Sequence, residues 1–198
     1  MTFPFPFLPG PLEGGAESKM EMPAEVLTDL ETKLASESLH PGSFAGLVNS
    51  VLIFRIEPDH ARLAATALRK VKYQLQQSDD DAHLFGLIHG LATVAAVTRS
   101  KELADEVRVL SRVTRSRNRA AMSTEDEMRI SIIAAASHEN SDDWASFAGD
   151  WLTELAFEIT KPEDAALLLS HLRRLIEFAP ELAITCAKAD AALSSVTR

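Results

Sequence analysis

The chain has 198 residues, of which 46% are hydrophobic and 25% are charged, a balance typical of one globular domain. Its formal net charge of −9 argues against non-specific nucleic-acid binding by the whole surface, because phosphates attract basic proteins. The single cysteine, Cys186, excludes an intrachain disulfide, and no apolar stretch reaches the roughly 18 residues that a membrane span needs. Since the N-terminus also lacks the basic and apolar regions of a secretory signal, we expect a cytoplasmic protein that does not associate with membranes.

The first 22 residues differ from the rest of the chain. Proline has no N–H to donate and disfavours a helix at the residue before it, so we predict an extended or disordered tail over residues 1–22. This tail is either an unattached terminus or a short anchor whose aromatic rings bind a groove on this chain or on a partner. Phenylalanine and proline alternate near its start: Phe3, Pro4, Phe5, Pro6, Phe7, Pro9 and Pro11.

Residues 23–198 have the pattern of one all-α domain with about nine amphipathic helices, because apolar residues recur at the 3.6-residue helical period. Proline at a first helical turn and serine or aspartate at a helix N-terminus mark most of the starts. β-Branched and aromatic residues in the segment 51–56 also favour a strand, but no second strand-like run exists to pair with it. The predicted helices begin near Ala24, Ser43, Pro58, Asp79, Ser100, Ser123, Ser141, Pro162 and Pro180.

The spacing of these starts predicts how the helices are arranged. Alternate helices begin about 40 residues apart, and a two-helix unit of that length is typical of HEAT and armadillo arrays. We therefore predict antiparallel helix pairs stacked as a HEAT/armadillo-like repeat or a right-handed α-α superhelix. Because the units share little sequence similarity, a globular helical bundle is the alternative.

The candidate catalytic and metal-binding residues have simpler explanations. Four acidic clusters lie in the first turns of predicted helices, where carboxylates cap unpaired backbone N–H groups and face the positive end of the helix dipole. The closest histidine pair, His83 and His89, is six residues apart and on opposed helix faces, which a helical zinc site does not allow. Cys186 lies in an apolar helix, where burial lowers the reactivity of a thiol. We therefore predict no catalytic residue, no metal site and no cofactor.

The two tryptophans fit the core better than a ligand site. Trp144 and Trp151 lie seven residues apart, in register with Phe147, Ala148 and Leu155. That spacing places all five side chains on one face of a helix. We predict that this face packs into the core.

One segment of the acidic chain is basic. Residues 99–119 hold seven basic residues against three acidic ones, and Arg108, Arg112, Arg115 and Arg119 follow the spacing i, i+4, i+7, i+11. This spacing places the four arginines in a stripe along one helix face. Aligned guanidinium groups repel one another unless anionic groups lie nearby. Those anionic groups are carboxylates of this chain, the acidic surface of a protein partner, or a phosphate backbone. The nucleic-acid alternative lacks one expected feature, since no aromatic residue lies between the arginines to stack on bases.

These observations together favour a non-catalytic helical scaffold or adaptor that binds a protein partner with an acidic surface. The alternatives are a nucleic-acid-associated helical protein that uses the same arginines, and an enzyme whose site lies in an inter-helix groove. The predicted partner-binding residues are Arg108, Arg112, Arg115, Arg119, Phe3, Phe5 and Phe7.

Overall fold

A computed structural model describes residues 20–35, 41–77, 84–117, 122–138, 140–178, 180 and 182–197. Within these ranges all regular structure is α-helical and no strand occurs, so the all-α prediction is confirmed, and residues 51–53 are helical. The helices are α1 (Ala24–Ala35), α2 (Pro41–Ile53), α3 (Pro58–Gln77), α4 (Leu84–Thr98), α5 (Lys101–Arg117), α6 (Thr124–Ala135), α7 (Ser141–Glu158), α8 (Pro162–Phe178) and α9 (Leu182–Val196).

Local capping explains several of the helix starts. The Oγ of Ser123 accepts a hydrogen bond from the Asp126 N–H at 3.1 Å, and the Asp126 carboxylate accepts one from the Ser123 N–H at 3.4 Å. This reciprocal pair is a capping box, and it begins α6 next to the predicted start at Ser123. The Oγ of Ser100 accepts from the Leu103 N–H at 3.2 Å, which confirms the predicted cap of α5.

Two other starts differ from the prediction by two residues, that of α2 and that of α9, which begins at Leu182 rather than near Pro180, whereas α7 begins at Ser141 as predicted. The helix α2 begins at Pro41 rather than near Ser43, because the fixed φ of proline suits a first helical position. The cap of α7 is Asn140, whose side-chain oxygen accepts from the Asp143 N–H at 2.7 Å. The predicted start at Asp79 and most of the predicted tail lie outside the described residues.

We expect the Ser123→Ala substitution to lower the free energy of unfolding by about 1 kcal/mol, because it leaves a first-turn N–H of α6 without its side-chain acceptor. Urea denaturation followed by circular dichroism measures this loss. A Ser116→Ala variant is the control, since the Ser116 hydroxyl is exposed and donates only to a carbonyl within its own helix. Equal stability of the Ser123 and Ser116 variants would contradict the assigned cap.

The helices pack in two layers. Each even-numbered helix from α2 to α8 packs against the next even-numbered one, and each helix also contacts its neighbour in the chain. Side-chain ion pairs or direct packing link the odd-numbered helices to one another in the same order. The helices thus form contacting pairs. The finer predictions of a HEAT/armadillo-like repeat or a right-handed superhelix stay predictions.

Salt bridges join neighbouring helices of the odd layer. Glu31 of α1 binds Arg62 of α3 at 2.5 Å. Farther along the layer, Lys101 and Arg115 of α5 bind α7 near its start and near its end, respectively. Because the contacts advance in the same direction on both helices, α5 and α7 run parallel. The ion pairs therefore help to fix the position of α5 between α3 and α7, with which its backbone makes few direct contacts.

The core lies between these layers. Trp144 and Trp151 are both buried, which confirms that their face of α7 packs inward. The buried face of α6 includes Ile130, which is fully buried, whereas Ile132 and Ile133 are only partly buried. The apolar residues of this helix therefore do not by themselves identify the face that packs into the core.

Three histidines are held in an environment that disfavours their charged form. His60, at the start of α3, is fully buried, and its Nδ1 accepts from the Glu57 N–H at 3.2 Å. Burial lowers the pKa of His60 below its ordinary value of 6.5, although hydrogen bonds to the backbone act in the opposite direction. Burial is also the main cause of the lowered pKa of His89 and of His171. The unfolded chain therefore takes up protons at these sites more readily than the folded chain.

We consequently expect the free energy of unfolding to fall as the pH falls through about 6.5, where the unfolded histidines gain protons that the folded ones resist. Urea denaturation midpoints at about pH 7.5 and about pH 5.5 measure this loss. The loss should be smaller in a His60→Gln variant, whose remaining pH dependence comes from the other two histidines. An unchanged pH dependence in that variant would exclude His60 as a contributor.

Candidate protein-binding surface

The predicted arginine stripe meets acidic residues of α7 in the same chain. Arg108 donates from Nη2 to Oε1 of Glu154 at 2.6 Å and from Nε to Oε2 at 3.3 Å. Its guanidinium also lies 5.8 Å from the centre of the Phe147 ring, which is a cation–π distance. A carboxylate of this chain thus offsets the charge of Arg108.

Arg115 is buried, with only 8% of its surface exposed. It donates from Nε to Glu158 at 2.8 Å and from Nη1 to Glu127, so one guanidinium joins α5 to both α6 and α7. Burial acts to lower the pKa of Arg115, but the hydrogen bonds to Glu158 and Glu127 outweigh it and raise the pKa. Arg115 is therefore a permanently charged link inside the fold, and it does not contribute a free cation to the surface.

Glu127 belongs to one of the four acidic clusters that the sequence assigns to helix capping, residues 125–127, but its role in the structure is different. It lies in the first turn of α6, where capping alone accounts for a carboxylate, yet it is only 1% exposed. Its Oε1 accepts from the Trp151 Nε1–H at 3.1 Å as well as from Arg115. The signal in the sequence is that Glu127 lies three residues before the buried Ile130, on the inner face of α6.

Arg112 differs from these two arginines because its side chain is 54% exposed. Its nearest carboxylate contact is a long one, with Nη1 3.9 Å from Oε2 of Glu154. Val109 and Val113, one turn apart on the same face of α5, are exposed as well. This face of α5 therefore presents an available guanidinium beside two aliphatic side chains.

The neighbouring helix α3 extends this face. Lys72 of α3 binds Glu106 of α5 at 2.6 Å, so the two helices lie side by side at this point. Tyr73 and Arg69, one turn apart on α3, are both exposed. A shallow depression of about 360 Å³ lies among the side chains of Thr66, Arg69, Lys70 and Tyr73.

We call the exposed set on these two helices the α3–α5 surface. It combines guanidinium groups, a phenol and aliphatic side chains on two helices that an ion pair holds together. Tyrosine and arginine are enriched in protein interfaces, and they carry much of the binding energy when a partner covers them. The members of the α3–α5 surface are Arg69, Tyr73, Val109, Arg112 and Val113.

The other predicted contact residues are not placed by the structure. Arg119 of the stripe and the phenylalanines Phe3, Phe5 and Phe7 lie outside the described residues. Among the arginines of the stripe, Arg108 and Arg115 thus bind carboxylates of the same chain, whereas Arg112 faces outward.

The other candidate groups are the residue types that bind metals and the single cysteine, Cys186. Across the described ranges, no three histidine, cysteine, aspartate or glutamate side chains come together as metal ligands. Burial is the main cause that raises the pKa of the Cys186 thiol. No helix in the described part of the chain has the length and apolar character to cross a bilayer.

The chain matches no protein-family model, no curated protein and no solved structure.

Proposed function

We propose that this protein is a non-catalytic helical scaffold that binds a protein partner through the α3–α5 surface. The observation that carries the proposal is the outward-facing Arg112 between Val109 and Val113, with Tyr73 on the adjacent helix. Guanidinium, phenol and aliphatic groups on two neighbouring helices suit a partner that offers both carboxylates and apolar side chains.

The ion pairs around the patch support the same proposal. Arg108 and Arg115 hold α5 against α7, and Lys72 holds α3 against Glu106 of α5. A surface held in place on both sides loses little conformational freedom when a partner binds, which favours affinity. The engaged arginines therefore act as supports, and Arg112 is the contact residue.

The pattern of charge favours a protein over a nucleic acid. Binding to phosphates draws its affinity from several free cations, and carboxylates of this chain already offset the charges of Arg108 and Arg115. The exposed valines, Val109 and Val113, add apolar area that a phosphate backbone does not use.

The test is affinity purification of the full chain from native lysate after nuclease treatment, comparing the wild type with Arg112→Glu. Arg173→Glu on α8 is the matched control, since Arg173 is also exposed and also has one carboxylate contact. We expect a stoichiometric protein to remain with the wild type and with Arg173→Glu and to be lost with Arg112→Glu.

Two results would overturn the proposal. One is loss of the bound material on nuclease treatment, which would indicate a nucleic-acid partner. The other is equal recovery of the same proteins with Arg112→Glu and the wild type. Unchanged thermal stability of Arg112→Glu, which we expect because Arg112 is exposed, ensures that a loss of binding is not a loss of folding.

A further inference from the structure

The corner between α2 and α3 exposes large aliphatic side chains close together in the chain. Ile53 is 56% exposed, and Leu52 and Ile56 are exposed as well. Scattered exposed apolar residues are ordinary, whereas a cluster marks a surface that binds something. We call Leu52, Ile53 and Ile56 the apolar corner.

The N-terminal segment starts beside this corner. The Arg55 N–H donates a hydrogen bond to the Met20 carbonyl at 2.9 Å, and Arg55 lies between Ile53 and Ile56. Met20 is the first described residue, so this bond fixes the point at which residues 1–19 join the domain. Met20 is itself exposed and adds to the apolar area at that point.

The segment is long enough to reach the corner. Phe7 precedes Met20 by 13 residues, and a flexible chain of that length spans roughly 20 Å. The distance from Leu52 to Ile56 is at most about 16 Å even for an extended chain. Attachment at Met20 also gives the segment an effective concentration on the order of millimolar at the corner, which a separate molecule does not have.

The composition of the segment matches an apolar surface. Phe3 and Phe5 each precede a proline, which biases them toward extended backbone. Side chains project outward from a proline-rich extended backbone, so the rings of Phe3, Phe5 and Phe7 are available to contact an apolar surface. We propose that residues 1–19 bind the apolar corner of their own chain, with these rings against Leu52, Ile53 and Ile56. This contact is independent of the α3–α5 surface.

Methyl NMR of the full chain, labelled at isoleucine δ1 carbons, tests the proposal. The wild type is compared with two variants in which Phe3, Phe5 and Phe7 are all replaced, by serine in one and by leucine in the other. Serine removes the apolar contact, whereas leucine keeps an apolar contact and removes only the rings. Hydrogen exchange of the Arg55 amide, which bonds to Met20, is recorded for the same three chains.

We expect the ring-current shifts of the Ile53 and Ile56 methyl groups to be lost in both variants. Exchange of the Arg55 amide should accelerate in the serine variant and remain slow in the leucine variant. The Ile184 methyl group on α9, which is 89% exposed, should not shift in any of the chains. Unchanged methyl signals from buried Ile88 establish that each variant is folded.

Identical Ile53 and Ile56 signals in all three chains would overturn the proposal. So would recovery of the wild-type shifts when the labelled serine variant is mixed with unlabelled wild type, because the occupant would then be the segment of a second copy. Neither result bears on the Arg112 test, since that test leaves both the segment and the corner unchanged.

Discussion

Replacing Arg115 with alanine is expected to lower the free energy of unfolding by about 3–5 kcal/mol. The reason is that Glu127 is almost completely buried and would be left without its main cation. Urea denaturation at neutral pH measures the loss. The matched control is Arg112→Ala, which removes the same side chain one turn away but from an exposed site, and should cost at most about 1 kcal/mol.

A double variant separates the unpaired charge from lost packing. Arg115→Met combined with Glu127→Gln removes both charges while leaving an oxygen that still accepts from the Trp151 indole. We expect this variant to be more stable than Arg115→Ala, because no buried charge is left alone. If Arg115→Ala were as stable as Arg112→Ala, the buried ion pair would not contribute to the fold as described.

Replacing Trp151 with alanine is expected to cost about 3–5 kcal/mol of unfolding free energy. Trp151 is among the largest fully buried side chains, and its indole N–H is bonded to Glu127. The loss therefore combines a cavity in the core with one fewer hydrogen bond to a buried carboxylate. Denaturation followed by circular dichroism measures it without relying on tryptophan fluorescence.

Two further substitutions in α7 divide this loss into its parts. Trp151→Phe keeps an aromatic ring but removes the N–H donor, and should cost about 1–3 kcal/mol. Phe157→Ala removes a large aromatic side chain from an exposed site on the same helix, and should change stability by about 0.5 kcal/mol or less. A Trp151→Ala variant no less stable than Phe157→Ala would contradict the assignment of this face to the core.

The parts of the fold that were predictable depend on short-range chemistry. The capping box of Ser123 and Asp126 involves residues three apart, so the sequence alone indicates it. The inward face of Trp144 and Trp151 follows from helical periodicity in one element. By contrast, the start of α2 at Pro41 depended on a choice between Pro41 and Ser43, which are two residues apart and both favour a helix N-terminus.

The parts that were not predictable depend on which helices meet. The spacing of Arg108 and Arg115 indicates that they share one face of α5, but each has a carboxylate partner more than 40 residues away on α7, and Arg115 has a second one on α6. No local pattern distinguishes these arginines from Arg112, which faces outward. The same holds for Glu127, since a carboxylate in a first helical turn has the same local sequence whether it caps the helix or binds a buried arginine.

The contribution of Tyr73 to the α3–α5 surface could not be inferred from sequence either. An aromatic residue in an amphipathic helix is more often part of the core, and only the structure shows that the Tyr73 side chain is exposed. The predicted arginine stripe therefore includes one residue of the α3–α5 surface, Arg112. The other members of that surface follow only from how the helices pack.

Photo-cross-linking from Val109 tests the central proposal most directly. A photoreactive phenylalanine analogue replaces Val109 in the full chain, and in a control chain it replaces Ile184, which is also exposed but lies on α9. After irradiation and nuclease treatment, we expect one stoichiometric protein adduct from position 109, its loss when Arg112→Glu is added, and none from position 184. The same adducts from both positions, or no adduct from position 109 under conditions in which a partner co-purifies, would contradict a partner-binding role for the α3–α5 surface.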